Sequence, residues 1–592
     1  MAFQLSPGVN VSEIDLTTVV PAVATTEGAI AGVFRWGPTD EAVLIGSEND
    51  LVIRFGKPFA NTTWSNAETF FSAANFLAYS DALYVTRVVS DDAIKSSNTN
   101  FEAAYQGSLG NQLTVAWVND SGFSATAVAE DITIQPSSTT GTIVVVGSAV
   151  STHGVTVGDA IILSDGQEFL VTKIADVTDA GDTTSTFTLD KKYIGTVAYS
   201  ASFSRQWGYS SRFDAAPTGS TGANSFHVIV IDAGGITGAP QIIEKFENLS
   251  DTPSDKSYDG STSYINAVLE SRSQYIRVKS DATFAENNAV ESLTLGTDGD
   301  DESAIALGKL ALGYDLFKVS ETIDVSLILG GKPHTTMSNY IIDNIVETRK
   351  DAIAFITPAV NAGSTTASAL VSAVSTLSAS SYAVVDSGYK YQYDKYNDVY
   401  RWIPLNGDVA GLCARTDEAR DPWFSPAGYS RGAIKNVIKL GLNPSRADRD
   451  LLYKNSINPV ITQAGQGTLL FGDKTFLSQP SAFDRINVRR LFIVLEKAIS
   501  VAAKSTLFEF NDEFTRAQFK NLVEPYLRDV QGRRGIYDFR VVCDGTNNTG
   551  EVIDSNRFVG DIYIKPARAI NFIQLNFIAV RTGVEFSEIV GQ

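Results

Sequence analysis

The residues best spaced for catalysis form a G-x-S-x-G pattern, Gly428-Tyr429-Ser430-Arg431-Gly432. This is the spacing of the nucleophile elbow in α/β-hydrolases, whose base histidine follows the serine in the chain. The three histidines, His153, His227 and His334, all precede this serine. Pro426 would also interrupt the strand that must lead into the elbow. The pattern therefore favours a loop bounded by glycines over a catalytic serine.

Residues 467–475, GTLLFGDKT, resemble a phosphate-binding loop. In such a loop the lysine directly follows the second glycine, so that its ammonium group and the backbone amides converge on the phosphates. Asp473 stands between Gly472 and Lys474 and places a negative charge where an anion should bind. We therefore interpret the segment as a turn.

Asp298, Asp300, Asp301 and Glu302 form an acidic loop that could offer oxygen ligands to calcium. Their spacing is not that of an EF-hand, and acids that offset the dipole at a helix N-terminus explain the cluster better. The sequence leaves a cation here open. The histidines are scattered and lack the spacing of a zinc site. We therefore expect no cofactor.

An aromatic series is the last candidate site: Tyr389, Tyr391 and Tyr393 alternate, and Tyr400 and Trp402 follow a turn. Such rings could stack on bases or sugars. Cross-strand aromatic pairs in a β-hairpin are the commoner arrangement. Because none of these sets gives a catalytic arrangement, we expect a protein that is not an enzyme.

The overall charge argues against nucleic-acid binding. The 592 residues contain 47 Lys and Arg against 67 Asp and Glu, a formal charge of -20, whereas a nucleic-acid binder needs a basic surface. Residues 471–592 are the exception, with 16 basic and 15 acidic residues. We see no signal peptide and no membrane-spanning run. The only two cysteines, Cys413 and Cys543, suit a reducing compartment, so we expect folding in a cytoplasm.

Changes in composition divide the chain into five parts, which together predict a multi-domain α+β and α/β fold. Residues 1–22 are predicted as an extended arm, 23–96 plus 208–301 as one discontinuous α/β domain, 97–207 as an inserted all-β outer domain, 302–470 as a second α/β domain, and 471–592 as a C-terminal domain that ends in a strand. The mixed core is thus contributed by both chain ends.

Local signals predict individual elements. We expect a strand over 42–45, a helix from 47 to 55 that stops at Gly56, and a helix from Ser65 with Glu68 as the partner in a capping box. Two long helices are expected over 483–504 and 512–530.

Both ends of the chain have the period of a strand. Four residues of the arm lie in an alternating segment, and four near the other end share one strand face: Val9, Val11, Glu13 and Ile14; Ile573, Leu575, Phe577 and Ala579. An unpaired strand edge accepts a strand from another chain. These residues are therefore candidates for pairing between subunits.

The helix predicted over 483–504 has a row of basic residues opposite its apolar stripe. Arg490, Lys497 and Lys504 recur every seven residues, with Arg489 beside them. One face could therefore pack on a core while the other meets an acidic partner. A solvated face explains the spacing equally well.

Several long motifs are similar to those of tail sheath proteins from contractile-tailed bacteriophages. They are SPAGYSRG at 425–432, LLYKNSINPV at 451–460, KTFLSQPSAFDRINVRRLF at 474–492, CDGTNNTGEVID at 543–554 and IKPARAINFI at 564–573. SPGVNVSEID at 6–15 and VLIGSENDLVIRFGKP at 43–58 resemble the N-terminal segment of that family. The resemblance fades over 97–207.

The resemblance implies a structural subunit of a contractile sheath. It implies hexameric rings stacked in a helix around a tail tube, tied by exchange of terminal strands and capped by baseplate and tail terminator proteins. It places the basic row Arg489, Arg490, Lys497 and Lys504 beside the tube, and the protein in a virion assembled in the host cytoplasm. Neither a nucleic acid nor a small molecule is implied as a partner. A sheath of a type VI secretion or tailocin-like machine is the alternative, and an enzyme or adhesin would need a pocket that no motif predicts.

Overall fold

The computed structural model describes residues 25–134, 143–146, 154–179, 182–218, 225–236, 239–284, 287–571 and 574. The predicted arm over 1–22 lies outside these residues, and so do Ile573, Leu575, Phe577 and Ala579 of the predicted last strand.

The first described segment supplies three strands and two helices: β1 (Gly28–Gly32), β2 (Ala42–Ile45), α1 (Glu48–Phe55), α2 (Ala67–Leu77) and β3 (Leu83–Arg87). The predictions for β2 and α1 are confirmed. Helix α1 ends because Gly56 takes a left-handed φ of 78°.

The predicted capping box at the start of α2 is wrong. Its N-cap is Asn66, which makes no side-chain cap. The carboxylate of Glu302 accepts instead from the backbone N–H groups of Glu68 and Thr69, at 3.2 and 2.9 Å, and from the hydroxyl of Ser65 at 3.0 Å. An acid from the predicted acidic loop therefore offsets the dipole of a helix that is distant in sequence.

The chain then enters a second module through β4 (Lys95–Ser97), β5 (Phe101–Gln106), β6 (Leu113–Asn119) and the single turn α3 (Asp120–Phe123). It continues as a closed six-stranded barrel with strands β7 (Thr126–Ile134), β8 (Ile143–Val146), β9 (Asp159–Leu163), β10 (Glu168–Asp179), β11 (Asp182–Leu189) and β12 (Tyr199–Trp207). The barrel has its own apolar core, which includes Ile132, Ile161 and Phe187. Residues 126–207 of the predicted insertion therefore form a β-barrel, and its position on the outside of an assembly stays a prediction.

The second module ends with β13 (Ser225–Asp232), β14 (Gln241–Ser250), α4 (Ile265–Arg272), β15 (Ile276–Val278) and β16 (Asn288–Ser292). One sheet has the order β14-β13-β6-β16, and another joins β15, β5 and β4. Two predicted boundaries are therefore wrong: the barrel begins at Thr126 and not at 97, and the strands of 208–301 do not share a sheet with β1, β2 and β3. Strand β6 belongs with β13 because buried Val115 and Trp117 pair with Val230 and Val228.

The chain returns to a central layer with many short elements. They are α5 (Leu307–Asp315), β17 (Leu327–Leu329), α6 (Thr335–Tyr340), a π-helical turn (Ile341–Val346), α7 (Glu347–Arg349), β18 (Ile353–Ile356), α8 (Ala367–Val374), β19 (Ala383–Asp386), β20 (Tyr389–Asp394), β21 (Val399–Pro404), α9 (Asn406–Ala419), β22 (Lys439–Leu440), α10 (Arg446–Lys454), β23 (Ile457–Asn458), β24 (Val460–Gln463) and β25 (Gly467–Leu470).

The central sheet has the order β2-β3-β1-β17-β18-β19-β23, and all neighbours are parallel except β2 with β3. Residues 23–96 therefore share their sheet with 302–470, which corrects the predicted division into two α/β domains. A sheet covered on both faces needs apolar strands. Strands β17 and β18 fit this requirement, because every residue of both is buried. The predicted aromatic hairpin is confirmed in β20 and β21, where Tyr391 packs on Trp402 with ring centroids 4.8 Å apart.

The last described part comprises α11 (Ile486–Ala503), α12 (Glu513–Gly532), β26 (Ile536–Val542), α13 (Gly550–Asp554) and β27 (Asp561–Pro566). Both predicted long helices are confirmed. Asp512 caps α12 by accepting from the backbone N–H of Thr515 at 2.8 Å. None of the helices in the described ranges is long and apolar enough to cross a membrane.

Candidate assembly surface

Helix α11 lies between two hydrophobic cores. Ile486 and Ile493 pack into the core of the central sheet. Leu491 and Leu495, on another face, pack with α12 and with the two strands β26 and β27. Because both sides of the helix are covered, basic side chains next to these apolar positions are removed from solvent.

Arg490 is buried at this double interface. It donates through both terminal nitrogens to the two carboxylate oxygens of Asp417, and through Nη1 to the carbonyl of Cys413 at 3.2 Å. Burial alone would lower the pKa of Arg490, but the carboxylate of Asp417 outweighs it and raises the pKa. Arg490 is thus a permanently charged tie between α11 and α9.

The other members of the basic row differ in exposure. Arg489 is buried, donates to the hydroxyls of Tyr382 and Ser381 at 3.2 and 2.7 Å, and stacks on Phe483. Lys497 is mostly buried and donates to Asp324 at 2.6 Å. Lys504 is exposed at the end of the helix.

The prediction of a single outward basic face is therefore wrong for Arg489 and Arg490, since each is enclosed by its own chain. The helical period locates the apolar stripe but does not show that a second layer covers the opposite side. Lys504 is the member of the row that remains free to meet a partner surface, and its contact with a tube stays a prediction.

Thr25, the first residue that the structure describes, contacts both members of the Arg490–Asp417 ion pair. Thr25 donates through its hydroxyl to Asp417 at 2.5 Å, and its carbonyl accepts from Arg490 at 3.3 Å. Arg490, which joins α11 to α9, therefore also holds the chain just after the end of the predicted arm.

The C-terminal chain is held at the start of the same helix. Asn571 donates to the hydroxyl of Tyr453 at 3.0 Å and to the carboxylate of Asp473 at 3.3 Å. Arg485, the N-cap of α11, binds the same two groups and lies 3.0 Å from Asp473. Asp417, Tyr453, Asp473 and Asn571 were not singled out from the sequence as anchors, because no local pattern marks a residue whose partners are far along the chain.

Strands β26 and β27 form an isolated antiparallel pair beside these anchors. Within the described part of the chain, neither pairs with a third strand. One face of the pair packs against α12 through Ile536 and Val541, while Tyr537 and Tyr563 are exposed. A pair of this kind has two edges whose backbone groups are available to further strands.

The G-x-S-x-G segment and the segment that resembles a phosphate-binding loop both have structural roles. Gly428–Gly432 is a loop with a left-handed Gly428, and Ser430 is exposed. Asp473, which spoiled the phosphate-loop pattern, pairs with Arg485. In the described ranges, no group of three or more His, Cys, Asp or Glu side chains is arranged to hold a metal ion.

In a comparison with known protein families, three segments of the chain each match a family of tail sheath domains. The phage tail sheath protein Gp18 domain III N-terminal region matches 28–88, the phage tail sheath protein central domain matches 327–476, and the phage tail sheath C-terminal domain matches 478–579. The first two segments are the two halves of the central sheet.

Whole-length relatives agree with these matches. The tail sheath protein of Vibrio phage KVP40 is 35% identical, over 99% of this chain and 100% of that protein. The tail sheath protein of Enterobacteria phage T4 is 33% identical, over 99% of each. A sheath tail protein from Desulfitobacterium hafniense superposes with a TM-score of 0.49 and 11% identity, over 91% of this chain and 94% of that one. The chain belongs to the tail sheath protein family of contractile phage tails.

Proposed function

We propose that this chain is a sheath subunit that polymerises as stacked hexameric rings around a tail tube and contracts to drive the tube through the host envelope. The observation that carries this most directly is the arrangement of the chain ends. Thr25 binds Arg490 of α11, and Asn571 binds Asp473, which also pairs with Arg485 at the N-cap of that helix. Both predicted terminal strands therefore lie just beyond residues anchored near one helix, and within the described residues the pair β26–β27 has two open edges.

Exchange of terminal strands links the copies in this proposal. Val9, Val11, Glu13 and Ile14 of one subunit, and Ile573, Leu575, Phe577 and Ala579 of another, add to the edges of β26 and β27 in a third. Main-chain hydrogen bonds give such additions affinity with little dependence on sequence.

The sheath has further partners in this proposal. A tube protein fills the lumen and meets Lys504, while baseplate and tail terminator proteins bind the two ends. Assembly takes place in the host cytoplasm, and the finished sheath is part of the virion. The subunit needs no nucleic acid, small molecule or catalytic activity for this task, which agrees with the structural role of its relatives.

Imaging of the purified full-length protein by negative-stain electron microscopy tests the proposed function. We expect hollow tubes with a regular axial repeat and six-fold end views as the concentration rises. A protein that stays monomeric at every concentration and salt condition, with and without tubes of the tail tube protein, would contradict the proposed function.

A further inference from the structure

The loop between α11 and α12, together with the first two residues of α12, exposes several large apolar side chains. Residues 507–514, here called the aromatic loop, have the sequence LFEFNDEF. Leu507, Phe508, Phe510 and Phe514 are all exposed, and Phe508 is completely so at 105%. Phe508 also has a φ of 71°, a conformation that bulky residues rarely adopt. A contiguous exposed apolar patch on a folded protein marks an interaction site.

The aromatic loop is also acidic. Glu509, Asp512 and Glu513 lie between the aromatic residues, and the segment 507–514 has no Lys or Arg. A surface that fits it must therefore combine apolar area with positive charge.

Such a surface lies at the other end of α12. A groove of about 1030 Å³, here called the arginine groove, is enclosed by the loop that contains the SPAGYSRG motif, α10, the end of α12 and residues 567–571. Five arginines line it, against the two acids Asp450 and Asp473: Arg431, Arg446, Arg449, Arg534 and Arg568. The aromatic residues Trp423, Phe424 and Phe471 form the rest of its wall.

The arginines of the groove are available to a partner. Within the described residues, Arg446, Arg449, Arg534 and Arg568 form no ion pair. The guanidinium groups of Arg431 and Arg449 lie over Phe424 and Phe471, each 5.5 Å from the ring centroid. Stacked arginine and phenylalanine planes provide cation–π sites for further aromatic rings and fork-shaped donors for carboxylates.

The aromatic loop cannot reach the arginine groove of its own chain. The loop leads into the first turn of α12, whereas Gln531 and Arg534 of the groove lie at the last turn of that helix or just after it. A helix of 20 residues is about 30 Å long. Two complementary surfaces at opposite ends of one helix suit a head-to-tail contact between copies, and such contacts build closed rings or open helical polymers.

We propose that the aromatic loop of one subunit docks in the arginine groove of the next subunit in the sheath. This contact rests on the proposed function, because it requires that the copies polymerise. It differs from strand exchange because it joins the aromatic loop to the arginine groove and uses neither terminal strand. Phe508 and Phe510 enter the groove, and Glu509 pairs with Arg534 or Arg568.

A mixed cross-linking experiment tests the contact. The variants Phe508→Cys and Arg534→Cys are prepared separately in the full chain, mixed in equal amounts, assembled and treated with a short bis-maleimide. We expect a cross-linked dimer in the mixture and none with either variant alone. Background reaction is low because burial raises the pKa of Cys413 to about 12 and also raises the pKa of Cys543.

Each result separates this contact from the proposed function. Tubes that form in the mixture without the cross-link would overturn the docking and leave the sheath function standing. A cross-link between Phe508→Cys and a cysteine-bearing tail tube protein, but not Arg534→Cys, would assign the loop to the tube instead. The absence of tubes even from the unmodified chain would overturn the sheath function itself.

Charge reversal supplies a second, independent test. Glu509→Arg alone, and Arg534→Glu with Arg568→Glu, should each reduce tube assembly at least tenfold, and combining them in one chain should restore part of it. Glu270→Arg is the matched control for charge reversal, because Glu270 is also exposed but lies on α4 of the second module. Equal assembly by all the charge variants would overturn the contact.

Discussion

Arg490 and Asp417 form a two-pronged ion pair inside the protein, where each side chain is only 4% exposed. The pair joins α11 to α9, and Thr25 contacts both partners. Arg490, which the helical period predicts on an outward face, therefore stabilises the contact between α11 and α9 next to the N-terminal arm.

Arg490→Ala is expected to destabilise the fold strongly. Removal of one partner leaves the carboxylate of Asp417 buried without its counter-charge, which costs about 3–5 kcal/mol. Urea unfolding followed by circular dichroism measures the change. Lys504→Ala, on the same helix but exposed, should change the free energy of unfolding by less than about 0.5 kcal/mol. Similar effects of both substitutions would contradict the structural role of the pair.

Deletion of residues 1–20 should abolish tubes and spare the fold. Thr25 and its contacts remain, so the midpoint of thermal unfolding should stay close to that of the full chain. Sedimentation velocity should then show only small species at concentrations where the full chain forms tubes. Normal polymerisation of the truncated protein would contradict strand exchange by the N-terminal arm.

Single proline substitutions in the N-terminal arm test whether it pairs as a β-strand. In a strand added to an edge, alternate residues donate their N–H groups to the sheet, and proline has none to donate. Asn10→Pro and Val11→Pro should therefore differ clearly in tube assembly. Equal behaviour of the two variants would indicate that the arm does not pair as a strand.

The barrel should fold by itself, whereas the insertion as bounded by composition should not. A fragment over 124–208 contains all six barrel strands and their core, so it should melt cooperatively in differential scanning calorimetry. A fragment over 97–207 also carries β6 without its neighbours β13 and β16, so Val115 and Trp117 lose their cover. It should aggregate on heating. A disordered 124–208 fragment would contradict the autonomy of the barrel.

The sequence predicts helices and strands whose signals are local. It does not predict strand pairing between distant segments, or burial by a second packing layer. Helix α1 was predictable because its period and its stop at Gly56 lie within ten residues. The composition of β6 matches that of the barrel and therefore predicts it as part of the insertion, whereas its partners in β13 lie more than one hundred residues later. The burial of Arg490 could not be predicted, because helical periodicity shows where apolar residues lie and not how many faces are covered.

The pH dependence of stability provides a test of the central sheet. Asp386, the last residue of β19, is fully buried, and its carboxylate accepts from Thr357 at 2.6 Å and from the N–H of Gly388 at 2.8 Å. Burial, with a smaller effect of Asp408, raises the pKa of Asp386 to about 8. The folded protein thus keeps a proton that the unfolded chain releases near an ordinary aspartate pKa of about 4. The contribution of Asp386 to stability is therefore fully present below about pH 4 and is lost as the pH rises through about 8.

Asp386→Asn should remove this contribution to the pH dependence. Between about pH 5 and about pH 8, the free energy of unfolding of the unmodified protein should fall relative to that of the variant, by at most about 1.4 kcal/mol per pH unit. Urea titrations of both proteins at several pH values measure the difference. Asp554→Asn, which changes an exposed acid, serves as the control and should follow the unmodified protein. A constant difference between Asp386→Asn and the unmodified protein across this range would show that Asp386 is ionised in the folded state, and that the hydrogen bonds from Thr357 and Gly388 outweigh its burial.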